Sequence, residues 1–289
     1  MTMSRTGAQG GLRRGLAGLA ALWALAWGGG ALAHDFWIEP SSFRPGPGTA
    51  VAVGLRVGED FIGDPVPRTA SLIDRFFIRQ AGEDQAISGA DNIDPAGFVR
   101  ADGRATALIA YTSTGSDLTL PADRFTAYLR QYGLDPIVAD RERRGESGQA
   151  GRECFYRYAK SLLTGAGPDT AVTRPLGFTY EIVPDTDPTA PGSTPLRGHV
   201  LFQGHPVAGA VVTAHLQGDP TARLATRSDA RGAFSFPLRR GGVWLVRSVH
   251  MVRAGMLAHW LHARDWESHW ASLTFDWPGP TQAAPGRTS

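Results

Sequence analysis

The residue whose surroundings carry the most chemistry is His34. It follows Ala31-Leu32-Ala33, the small-x-small pattern a signal peptidase requires, so removal of residues 1–33 makes His34 the first residue of an exported chain. A free α-amine and an imidazole Nδ1 on one residue chelate a single metal ion. A second imidazole from elsewhere in the fold completes a T-shaped set of three nitrogens, the histidine brace. Nitrogen donors in a plane suit Cu(II) or Ni(II), and an α-amine with an unperturbed pKa of about 7.7–8.0 releases its proton at little cost near neutral pH. Cleavage after Ala31 instead puts the histidine third, where the amine, two backbone amides and the ring wrap the same ions in a square plane. A plainer reading stands beside both: His34 is only the first ordered residue.

The export reading rests on the first 33 residues. Arg5, Arg13 and Arg14 are their only charges, an apolar run from Leu16 to Trp27 follows, and Gly28, Gly29 and Gly30 end it. That is a basic n-region and an h-region. A membrane anchor needs about 20 apolar residues, more than this run supplies. No later stretch is long enough, so a soluble periplasmic or secreted protein is expected.

Other side chains form weaker groupings. Met251, Met256, His259 and His262 gather soft and borderline ligands, and a helical turn would align His259 with His262; alternatively Met256 and Trp260 pack and the histidines face solvent. Glu153, Tyr156 and Lys160 share one face of an expected helix and line a cleft or form a structural polar cluster. Cys154, the single cysteine, forms no internal disulfide and reads as a buried, inert thiol. No HExxH, Gly-x-Ser-x-Gly or P-loop pattern occurs, so hydrolase and nucleotide chemistry have no motif behind them.

Removing residues 1–33 takes three arginines from the 29 basic side chains, leaving 26 against 27 acidic ones in 256 residues. A near-neutral chain has no concentrated basic face, and nucleic acid is not an expected partner.

The elements needed to position these residues are mostly strands. Thr49–Val57 alternates Val51, Val53, Leu55 and Val57 on one face; Ser71–Gln80 and Thr106–Thr112 are further strands, with the turn-rich Gly82–Gly103 between them. Phe125, Tyr128, Leu129 and Tyr132 have helical spacing between Pro121 and Gly133, which mark a start and a stop. A second helix is expected around Cys154, Tyr158 and Leu162, with the charged stretch 140–151 as its solvated approach. Four prolines between Pro184 and Pro195 mark a linker. Beyond it Leu196–Gln203, Val207–Leu216, Ala233–Leu238, Val243–Met251 and Ala271–Trp277 are short strands with Gly-rich turns. The expected fold is mainly β with a small helical insertion: an N-terminal β domain over 34–183, a linker over 184–195, a C-terminal antiparallel β-sandwich of carboxypeptidase-regulatory or prealbumin-like kind over 196–277, and a disordered tail over 278–289. On the strand Val243–Met251, Trp244, Val246, Ser248 and His250 share one face and Leu245, Arg247, Val249 and Met251 the other.

His34-Asp-Phe-Trp-Ile-Glu-Pro40, Leu120-Pro-Ala-Asp-Arg-Phe-Thr-Ala-Tyr-Leu129, Arg152-Glu-Cys-Phe-Tyr-Arg-Tyr-Ala-Lys-Ser-Leu162, the segment Gly242–Met251 and Asp265–Phe275 resemble a family of bacterial periplasmic proteins described as periplasmic components of cobalt or nickel uptake systems. Two positions depart from that family's pattern: His269 stands where an aromatic, usually Tyr, is expected, and Cys154 where Tyr is. The resemblance singles out His250 as the second imidazole for His34. It implies a metal-binding protein supporting nickel, cobalt or copper uptake or handling, with a divalent transition metal ion as its ligand and a membrane metal-uptake transporter as its partner. Two rival readings remain. One is a copper histidine-brace oxidase acting on a polymer through a flat surface of Trp260, Trp266, Trp270 and Trp277; the other is a metal-free adhesive or scaffolding sandwich.

Overall fold

The computed structural model describes residues 34–167 and 169–280. The expected signal peptide and its cleavage point, and most of the expected tail, lie outside these residues. The chain opens with β1 (Asp35–Pro40), β2 (Ala50–Glu59) and β3 (Ile62–Pro65), and continues through β4 (Ile73–Gln80), β5 (Glu83–Ala86), β6 (Gly97–Arg100), β7 (Ala107–Ser113) and β8 (Ser116–Leu120). Helices α1 (Ala122–Gln131) and α2 (Asp135–Arg143) precede β9 (Gly151–Leu163) and β10 (Tyr180–Pro184). The remainder is β11 (Leu196–Phe202), β12 (His205–Pro206), β13 (Val211–Leu216), β14 (Asp219–Arg227), β15 (Ala233–Phe236), β16 (Gly242–Arg253), α3 (Met256–His262) and β17 (Trp266–Trp277).

The fold is mainly β and sandwich-like, built on a nine-stranded sheet in the order β14-β13-β16-β17-β9-β7-β4-β5, with β8 also paired to β9. One face is covered by a sheet of β10, β11, β12 and β15; Leu108, Tyr158, Val212, Trp244, Val246 and Phe275 pack there with Tyr180, Val200 and Phe236. The other face carries the sheet of β1, β2, β3 and β6, where Phe36, Ile38 and Val53 meet Ile78, Ile109, Tyr111 and Ala159. At the far end of that second face α1 and α2 take over, with Phe125, Tyr128 and Leu129 against Val249, Met251, Trp266 and Trp270. Strict alternation along β16 therefore sorts its side chains as period two requires.

Two expectations are corrected. Residues 151–163, read as a helix, form β9. This strand is buried on both faces, with Tyr158 and Leu162 on one and Ala159 and Leu163 on the other, so it lacks the polar alternation that marks a half-buried strand. The second helix is instead α2, which Pro136 opens in its first turn. The boundary at 184–195 does not separate two sheets either. β9 pairs in parallel with β17, from Trp266↔Glu153 to Thr274↔Ser161, and joins both halves of the chain in one sheet. Within the proline-rich segment Asp187 and Thr189 are buried, and Thr189 bonds Asp187 at 2.7 Å and Thr106 at 3.2 Å.

Candidate metal centre

β16 and β17 pair antiparallel along their whole length, and their register sets His250 directly opposite His269. Cross-strand partners share a face with Cβ atoms about 4.5–5.5 Å apart. The parallel register of β17 with β9 extends the row to Tyr156, whose ring stacks on His269 with centroids 5.3 Å apart. Over this row lies the C-terminal sheet: the Phe202 ring is 4.7 Å from His250 and 5.1 Å from His269, and Tyr180 stacks on His250 at 5.6 Å.

His269 is 3 % exposed. Its Nδ1 lies 3.1 Å from the Tyr158 hydroxyl, while its Nε2 is buried with no hydrogen-bond partner. The contact can run either way, but Nε2 has no acceptor, so the arrangement that avoids an orphaned N–H keeps the ring proton on Nδ1, donating to Oη. That tautomer leaves Nε2 a bare lone pair, the state a metal ligand needs. Burial drives the His269 pKa down to about 4, helped by the charge of His250, and burial alone lowers that of His250. Both rings are thus neutral at neutral pH.

His250 is half-buried and reachable. The β13–β16 pairing ends at Val212↔Ser248, leaving the edge of β16 free beside His250. A cleft of about 130 Å³ opens there between the α1–α2 turn and the 207–211 loop, lined by Gly133, Leu134, Val211 and His250 among others. Gly133 has φ +68, and a Cβ on it would meet Val211 Cγ2 at 2.4 Å. Only glycine both ends α1 and keeps this wall in place.

The sequence profile described as "Domain of unknown function (DUF4198)" matches residues 31–252, which is most of the chain. The chain belongs to this family. A search of curated proteins finds no match to this DUF4198 member. Among solved structures, the "D0-D1 domain of Intimin" aligns over 83 % of this chain and 97 % of its own at 12 % identity and a TM-score of 0.19, too loose a superposition to bear on fold or function.

In this DUF4198 fold the expected His34–His250 brace does not form. His34 precedes β1, its Nδ1 lies 3.3 Å from Glu59 Oε1, and its neighbour Asp35 pairs with Arg247 at 2.7 Å. Arg247 and His250 leave β16 on opposite faces, so the central sheet stands between the two histidines. Beside that ion pair, Asp35 Oδ1 is buried with no hydrogen-bond partner.

The expected cleft of Glu153, Tyr156 and Lys160 is likewise divided, because a strand sends Glu153 to the face opposite the other two. Glu153 lies against Tyr128 and Trp266, and burial raises its pKa to about 8. Lys160 is buried in an ion pair with Glu181 and also donates to the Ile182 carbonyl at 3.0 Å, a satisfied structural role. Cys154 is a free, buried thiol whose pKa burial raises.

α3 does align His259 and His262, but His259 Nδ1 is 3.0 Å from the Arg264 carbonyl. Met256 and Trp260, the residues expected to pack if the histidines faced solvent, are 91 % and 81 % exposed. The expected tryptophan platform is absent: Trp266, Trp270 and Trp277 are core. Among the described residues no three His, Cys, Asp or Glu side chains assemble into a metal-holding group. The His250–His269 pair is a two-imidazole arrangement. His269 and Tyr158 were missed as site residues because only the registers of β17 with β16 and with β9 bring them to His250.

Proposed function

We propose that this DUF4198 protein works outside the cytoplasm, binds a transition metal ion (nickel, cobalt or copper) and supports its uptake or handling without a catalytic step. The observation that carries this reading is the cross-strand pair His250–His269 with a buried, unpartnered Nε2. Imidazole is a preferred donor for all three metals, both rings are held neutral, and the cleft beside His250 gives an ion a way in. Export is supported by the sequence pattern of residues 1–33. A membrane uptake transporter is the partner implied by the family resemblance. If the exported chain begins at His34, its amine and ring form a separate two-nitrogen chelate beside Glu59, on the other side of the central sheet.

A metal-free scaffolding role is the second reading. It is favoured by α3, where Met256, Leu257, Trp260 and Leu261 are all exposed, since contiguous exposed apolar side chains mark contact surfaces.

Metal analysis and intact mass of the protein recovered from the exported fraction separate the two. The expected result is a chain starting at His34 that carries bound transition metal, of which about one equivalent is lost in His250→Ala and in His269→Phe while the thermal transition is kept. Metal-free wild-type protein that also takes up none of these ions on titration would leave the scaffold reading.

A further inference from the structure

We infer that the ion held between His250 and His269 is monovalent copper. This rests on the metal-binding reading above and adds the identity and oxidation state of the cargo.

Donor number comes first. The row offers two imidazole nitrogens, and the remaining oxygens near it are the phenols of Tyr156, Tyr158 and Tyr180. A phenol with its ordinary pKa of about 10 is protonated at neutral pH and is a poor metal ligand in that form. Nickel, cobalt and zinc ions ordinarily fill four or more positions, helped by anionic donors. Copper(I) is a closed-shell soft ion that is content with two nitrogen donors, and the cross-strand pair offers two imidazoles on one face.

Charge points the same way. The wall is aromatic, with Phe202 close to both imidazoles. The cost of taking an ion out of water scales with the square of its charge, so a dication is penalised roughly four times as heavily as a monocation in such a site. The faces of Phe202 and Tyr180 add cation–π attraction that partly offsets the cost for a singly charged ion. Tyr158 fixes the ring of His269 with Nε2 free, as an outer partner of a ligating histidine does.

The test is an anaerobic titration of the exported chain with Cu(I) in competition with bicinchoninate, run beside calorimetric titrations with Ni(II), Co(II) and Zn(II). One Cu(I) per chain is expected, with X-ray absorption showing two short nitrogen bonds. His250→Ala and His269→Phe should each weaken it by roughly 100-fold or more, with circular dichroism confirming the fold. Tighter binding of Ni(II), Co(II) or Zn(II) than of Cu(I), lost in the same variants, would overturn the cuprous assignment and leave the metal reading standing. Cu(I) binding unchanged in the double variant would remove the ion from this pair. No metal bound at the pair under any condition would sink both.

Discussion

His269 faces His250 across the β16–β17 pair, yet the two nitrogens differ in what holds them: His269 Nδ1 is 3.1 Å from Tyr158 Oη, whereas His269 Nε2 has no partner. The phenol is therefore the group that decides which nitrogen of His269 is free. Tyr158→Phe keeps the ring in the core and removes only the hydroxyl. Metal affinity should fall about tenfold, and the metal-free protein should lose about 1–3 kcal/mol because a buried Nδ1–H is left unpaired. Competition titration and denaturant unfolding measure the two effects. Unchanged values in both would show that Tyr158 does not set the tautomer.

Acid and base affect stability through four buried groups of opposite kind. Burial raises Asp35 to about 7 and Glu153 to about 8, and lowers His215 and His269 to about 4. The raised carboxyls bind protons in the folded state that the unfolded state releases, so their contribution is full at low pH and is lost as pH rises through 7 and 8. The lowered histidines act the other way: below pH ~6.5 the unfolded chain takes up protons the folded one refuses, and stability falls toward pH ~4. Between these windows the two effects offset one another. The thermal midpoint should therefore be higher at pH ~6 than at pH ~9, and Glu153→Gln should flatten the upper part of that slope. A wild-type midpoint that rises from pH ~6 to ~9 would mean that these carboxyls are ionised in the folded protein.

The parallel pairing of β9 with β17 makes residues 196–277 dependent on the rest of the chain. Expressed from residue 184 onward, the C-terminal part loses the β9 edge and the covering of Leu245, Val249 and Met251 by β1, α1 and α2. It should give the narrow amide spectrum of an unfolded chain. A dispersed, cooperative fragment would restore the two-domain division.

Much of the local structure is legible in the sequence because it follows from short-range chemistry. The alternation Val51-Val53-Leu55-Val57 fixes β2, Pro121 and Gly133 bound α1, and the period of β16 sorts His250 from Arg247 without knowledge of any neighbour. Strand β9 was not legible, since a strand covered on both faces by two sheets shows no polar face; its Glu153, Arg157 and Lys160 are tolerated because Tyr128, Tyr111 and Glu181 lie beside them. That misreading also placed Glu153 with Tyr156 and Lys160.

The candidate site depended on longer-range facts still. His34 is singled out by the residues before it, a property of the sequence by itself, and so is the apolar character of α3. Which histidine meets which was decided by strand register and by which face of the central sheet each element covers. β1 packs on the Arg247 face and the C-terminal sheet on the His250 face, so His34 and His250 are held apart. A hairpin carrying α3 at its tip brings His269, 19 positions further on, directly beside His250. Burial between Tyr158 and Phe202, which no local pattern encodes, then keeps both rings neutral and leaves one nitrogen free.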